Sequence, residues 1–328
     1  MTPTPALSPP TENTKHPPSL FTSPPRVKFV DLWAPTVTHN DCYLGRVIKE
    51  KFAGIYCDDP DYLFYSIYPP FEHGLDARYD RCIKILWSPE NIAPDYRACD
   101  YALSHEYSND PRNLRWPLYA TCLASYLKSL IQPTNLDVDA LLAAKTKFCN
   151  FVYSNPRPQE RLKFMKLLSG YKRVDSGGTV ENNLGYKVVN KLKFISEYKF
   201  TIAFENASHD GYVTEKIVEP LSVHSVPIYW GSPRIADDFD PGCFINCHAH
   251  ANLEEVVERI VALDHNDSLY AQYLGAPRFK NNTPNLCCQP DYLIQFLAKI
   301  FQDRTPRSRK EMSGEMLRKY IDRWEICP

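Results

Sequence analysis

The 328-residue chain has no apolar run near the ~20 residues that cross a bilayer. Its first residues also lack the basic-then-apolar layout of a secretory signal. An excess of one charge is missing too: 38 Lys and Arg against 39 Asp and Glu leave a net charge of -1. No whole-molecule basic field therefore draws in nucleic acid. Among the 11 cysteines there is no Cys-x-x-Cys, which argues against a thioredoxin-type dithiol and a zinc ribbon. Their count is odd, and most sit in apolar contexts such as Phe148-Cys149-Asn150-Phe151-Val152, where a thiol acts as a small hydrophobe. Reduced thiols in a cytoplasmic setting are expected, the alternative being a few disulfides plus a free thiol. Internal repeats are lacking. What remains, 44% hydrophobic and 23% charged residues, is the balance of a globular protein long enough for two domains.

Residues 1–26 are rich in Pro, Ser and Thr and cannot bury enough surface to offset their ordering entropy. They read as a disordered leader. A strand is expected from Val27 to Trp33, ended by Pro35, then strands at Ala53–Cys57, Tyr62–Tyr68 and Ile83–Trp87. Helices are expected at Ala77–Ile83, Pro117–Leu130 and Asp137–Thr146. A second series runs from strand Phe148–Tyr153 through a basic helix Gln159–Leu168, strand Phe200–Phe204, a helix from Thr214 and strand Val226–Trp230. Helices at Leu253–Leu263, Leu269–Leu274 and Tyr292–Phe301 follow. Such alternation predicts parallel α/β sheets. The expected division is 27–146 and 147–303, with a basic tail, 304–328, that becomes helical over Glu311–Ile326. That tail reads as a solvated or docking helix, with peripheral membrane contact the weaker alternative.

The most informative segment is Phe200 to Lys216. An apolar strand ends at Glu205-Asn206, and the chain re-enters a helix at Thr214, a good N-cap. Loops at the carboxyl ends of strands bind ligands in open α/β sheets, facing helix N-termini. Lys216 there suits a phosphate, and Glu215 suits ribose or sugar hydroxyls. A plain capped helix with a solvated Glu-Lys pair is the other reading.

The string Phe204-Glu205-Asn206, a short loop, Gly211-Tyr212-Val213-Thr214-Glu215-Lys216 and then Val226-Pro227-Ile228-Tyr229-Trp230-Gly231-Ser232-Pro233 closely resembles the signature of the α1,3-fucosyltransferase family. The resemblance extends over Phe148–Pro156, Val174–Gly178 and Leu184–Tyr186, and more weakly over Ile85–Asn91 and Asp100–Ala102. It implies the GT-B architecture, two Rossmann-like domains facing across a cleft, and inverting transfer from GDP-fucose to an oligosaccharide acceptor. On that resemblance Glu90 is the general base, and Arg161 and Lys216 are the cations at the diphosphate. Glu215 and Tyr212 hold the ribose or fucose, while Ser154 and Asn206 are further donor contacts.

The resemblance implies no required cofactor, a divalent metal being at most stimulatory. Asp59-Pro60-Asp61, Asp137-Val138-Asp139 and Asp238-Phe239-Asp240 are therefore read as chance D-x-D strings. Cys243, Cys247, His248 and His250 fit no standard ligand spacing. Unlike animal members of the family, the sequence shows no N-terminal anchor. A cytoplasmic or peripheral-membrane enzyme is expected, with the Golgi lumen the alternative if an anchor is missing. Two other expectations stay open: a transferase using another nucleotide sugar, and a catalytically inactive nucleotide-sugar or glycan-binding module.

Overall fold

The computed structural model describes residues 23–33, 38–68 and 76–307. The expected leader up to residue 22 and the expected tail helix lie outside the described residues. Strands β1 (Arg26–Val30), β2 (Ile55–Tyr56), β3 (Tyr62–Tyr65), β4 (Ile83–Trp87), β5 (Tyr101–Ser104) and β6 (Asn113–Arg115) form one sheet, ordered β2-β1-β3-β4-β5-β6. Strands β7 (Lys147–Phe151), β8 (Val174–Ser176), β9 (Tyr198–Phe204), β10 (Val226–Trp230) and β11 (Ile245–Asn246) form the other, ordered β11-β10-β9-β7-β8. Every neighbouring pair is parallel. All residues of β3, β4 and β5 are buried, because helices cover one face and a cluster that includes Tyr79, Ile92 and Cys99 covers the other. Their sequences accordingly run without polar alternation.

The helices are α1 (Tyr43–Phe52), α2 (Leu118–Leu130), α3 (Val138–Ala143), α4 (Gln159–Ser169), α5 (Lys191–Ile195), α6 (Glu215–Ser222), α7 (Leu253–Asp264), α8 (Asp267–Gly275) and α9 (Pro290–Gln302). Two of them cross the expected boundaries. Val138, Leu141 and Leu142 of α3 pack on the second sheet's core. Conversely, α9 returns to the first sheet. Its Leu293, Phe296, Leu297, Ile300 and Phe301 make one helical stripe and join the core of Val27, Tyr62 and Phe64. The Phe301 ring lies 4.9 Å from Tyr62 and 5.1 Å from Phe52, and Tyr62 Oη donates to the Phe301 carbonyl at 2.9 Å.

The halves also share a core. Ile217, Val218 and Leu221 of α6 belong to the same cluster as Tyr119 of α2 and Ile85 and Leu103 of the first sheet. Below it, Arg115 grips Asp238 with Nη1 at 2.9 Å and Nη2 at 2.7 Å, and Tyr119 Oη donates to Asp238 at 2.8 Å. Asp238, part of a D-x-D look-alike, is thus an interdomain anchor.

No helix among the described residues is long and apolar enough to cross a membrane. The ten cysteines in the described residues are free thiols.

Candidate active site

Strand β9 is buried along nearly its whole length and delivers Glu205, whose N–H donates to the Trp230 carbonyl of β10 at 2.8 Å. Glu205 is 0% exposed, so its carboxylate has to be paired within the protein. It accepts the Thr214 N–H and the Thr214 hydroxyl, both at 2.8 Å, and lies 3.1 Å from Lys216 Nζ. The Thr214 hydroxyl also caps α6 by accepting the Lys216 N–H. One buried carboxylate therefore fixes both the cap of α6 and the ammonium of its first turn.

Lys216 Nζ also stands 3.4 Å from Glu215 Oε1. Burial works against its charge, but Glu205, Glu215 and Glu90 together more than offset that and push its pKa above the usual lysine value. For Glu205, burial wins over the nearby ammonium and raises the carboxyl. For Glu215, burial is outweighed by Lys216 and Lys191, and its carboxyl sits low.

A second cation comes from α4. Arg161 is 1% exposed, its guanidinium lies 4.3 Å over the Tyr153 ring, and Nη2 donates to Asn206 Oδ1 at 3.0 Å. Its Nε has no hydrogen-bond partner among the described residues. Tyr153 is itself locked to β9, receiving the Phe204 N–H at 2.8 Å. Burial pushes the Tyr153 phenol up, opposed by the charges of Arg161 and Lys216.

The first half contributes Glu90, in the loop after β4. Ser88 holds that loop by donating to the carbonyls of Glu90 at 3.2 Å and Ile92 at 2.7 Å. Tyr212, from the loop between β9 and α6, donates its hydroxyl to Glu90 Oε2 at 2.6 Å. Burial raises the Glu90 pKa, opposed by Lys216 and by the Tyr212 hydrogen bond.

The structure thus groups Glu90, Tyr212, Glu215 and Lys216 at one place and joins Arg161 to Asn206. Ser154 lies exposed in the loop after β7, its carbonyl accepting from Thr179 at 3.2 Å. Sequence reasoning missed Glu205 and Tyr153 as supports. A carboxylate directly after an apolar strand was the signal for the former. Among the look-alikes, Asp59 and Asp61 precede β3, at the amino-terminal end of the sheet, and Asp59 pairs with Arg26 at 2.5 Å. Asp137 caps α3. Cys243 and Cys247 are buried, and His248 Nε2 contacts the Gly231 carbonyl at 3.0 Å.

Residues 142–283 match the family model for glycosyltransferase family 10 (fucosyltransferase), C-terminal part, and residues 27–122 match that of the Alpha-(1,3)-fucosyltransferase FucT N-terminal domain. The Helicobacter pylori Alpha-(1,3)-fucosyltransferase FucT is 34% identical over 225 residues, 60% of this chain and 47% of that protein. The Mus musculus GDP-fucose protein O-fucosyltransferase 3 is 35% identical over 213 residues, 61% of this chain and 44% of that protein. The chain thus spans less than half the length of these curated relatives. A solved α1,3-fucosyltransferase with GDP superposes with a TM-score of 0.74 at 26% identity, covering 93% of this chain and 96% of that one. A solved α1,3-fucosyltransferase with GDP-fucose gives 0.70 at 26% identity, with 86% and 91% covered. The two-sheet architecture is therefore GT-B, as expected.

Proposed function

Since the chain belongs to glycosyltransferase family 10, the fucosyltransferases, we propose that it is an α1,3-fucosyltransferase. It moves fucose from GDP-fucose, with inversion, to a GlcNAc hydroxyl of an N-acetyllactosamine-type glycan. The observation that carries this reading is the 2.6 Å contact from Tyr212 to Glu90, which sets a first-half carboxylate beside the Lys216 cluster of the second half. A module that only binds nucleotide sugar has no use for such a base.

In this mechanism an ionised Glu90 oxygen takes the proton of the acceptor hydroxyl. The hydroxyl oxygen attacks the anomeric carbon opposite the leaving group. The bond to the diphosphate breaks, and its electron pair goes to the β-phosphate oxygen. Arg161 and Lys216 offset the charge developing there, a bidentate guanidinium being suited to phosphate. Asn206 orients Arg161. Tyr212 and Glu215 meet the ribose or fucose, and Ser154 adds a contact from the loop after β7. A single displacement inverts the anomeric centre.

Nucleotide release measured with GDP-fucose, GDP-mannose and UDP-sugars, N-acetyllactosamine present, tests the donor. GDP-fucose should turn over well above the rest, and preference for another sugar would overturn the reading. A second acceptor class, a protein hydroxyl, is favoured by the 35% identity to the mouse relative, and a protein acceptor in the same assay separates the two. Because protein cations serve the diphosphate, transfer should survive EDTA. Complete loss restored only by Mn²⁺ or Mg²⁺ would overturn the assignment of Arg161 and Lys216 as the groups that serve the diphosphate.

A further inference from the structure

Beside this site lies a group that the proposed reaction does not use. His105 and Glu106 follow β5 in the first half, and His209 sits in the loop between β9 and α6 in the second. One ligand atom from each lies within 4.8 Å of the others. Glu106 Oε1 is 3.3 Å from His105 Nε2 and 2.9 Å from His209 Nε2. Zinc bonds of about 2.0–2.2 Å to nitrogen and oxygen place tetrahedral ligands roughly 3.3–3.6 Å apart, so these separations need only small adjustments.

His105 supplies an independent observation. It is 1% exposed, its Nδ1 has no hydrogen-bond partner among the described residues, and its Nε2 meets Glu106 Oε1 at 3.3 Å without a well-formed hydrogen bond. A buried imidazole is seldom left so, and this one lies edge-on to the His209 ring at 5.1 Å. The scaffold holds the group firmly. Glu106 donates its N–H to Ser104 Oγ at 3.2 Å, and its carbonyl accepts from Asn113 at 3.1 Å. Gly211, at φ +79°, lets the second-half loop close on this edge, since a Cβ there would lie 2.2 Å from the His105 carbonyl.

We propose that His105, Glu106 and His209 bind one divalent transition ion, zinc by preference, which ties the first half to the loop that carries Tyr212. Two imidazoles and a carboxylate suit zinc, and the 41%-exposed side of His209 leaves room for water as fourth ligand. The ion takes no ligand from the Arg161 and Lys216 pair, so its role is to hold rather than to react. The His105 ring lies 5.6 Å from that of Tyr212, and fixing it stiffens the partner of Glu90.

The test uses the full chain stripped of metal, titrated with Co²⁺ in visible absorption and with Zn²⁺ in thermal unfolding. One equivalent of Co²⁺ should give ligand-field bands without thiolate charge transfer, and Zn²⁺ should raise the unfolding midpoint by a few degrees. Even outer-shell changes cost metal sites about 10–100-fold in affinity. His209→Ala, at a half-exposed position that keeps the fold, and Glu106→Gln should therefore each lose at least that much. Three outcomes would overturn the proposal: no saturable binding, a thiolate band marking a cysteine site, or undiminished binding in His209→Ala. None depends on the donor or acceptor, so the fucosyltransferase reading stands or falls separately.

Discussion

Lys216 meets two carboxylates of unlike duty. Glu205 is wholly buried and also holds Thr214, whereas Glu215 is partly exposed. Removing one partner of a buried pair leaves an uncompensated charge, so Glu205 is as much a condition of the Lys216 position as the helix is. Glu90 is governed by the same balance as Glu205. Burial disfavours its charge, and the Tyr212 hydroxyl and Lys216 favour it. As the proposed base Glu90 acts only when ionised, so the acidic limb of kcat/KM should lie above that of an ordinary glutamate. Tyr212→Phe removes a donor to the ionised form, raises the Glu90 pKa further and should move that limb to higher pH. A pH–rate profile for the variant checks this, and an unmoved limb would detach Tyr212 from the base.

The loop from Asn206 to Val213 is the element on which both the proposed site and the metal group depend. Gly211 is its tight point, combining positive φ with close approach to the His105 carbonyl. Gly211→Ala should push the loop off the first half, weakening GDP binding and lowering the unfolding midpoint; calorimetry and thermal melts measure the two. This loop was legible in the sequence because an apolar strand, a Gly and a helix cap punctuate it. The alternation of elements was legible for the same reason: strands buried on both faces are unbroken apolar runs. Other elements were not. Strand β8 is three residues, Val174–Ser176, two of them polar, and reads as part of the Gly-rich turn after it. Helix α1 starts at a cysteine N-cap, Cys42, which carries no ordinary capping signal. The contact of Glu106 with His209 joins residues 103 positions apart, and no local pattern announces it. Glu205 was visible as a strand end, but its hold on Lys216 became visible only once both were placed.

At the scale of the molecule, α9 makes the two halves one body. It leaves the second half in chain order and packs on the first sheet. Phe301, 1% exposed between Phe52 and Tyr62, is its keystone. Phe301→Ala should cost about 3–5 kcal/mol, seen as a fall of several degrees in the unfolding midpoint, while donor affinity at 4 °C changes little by comparison. The proposed reaction divides its labour, the second half holding the donor and the first activating the acceptor. Glu90→Gln tests it most directly, because glutamine keeps the shape and cannot take the proton. Calorimetry should give near-normal GDP-fucose affinity, while transfer falls by roughly 10²–10⁴-fold. Transfer at close to the wild-type rate would show that Glu90 is not the base.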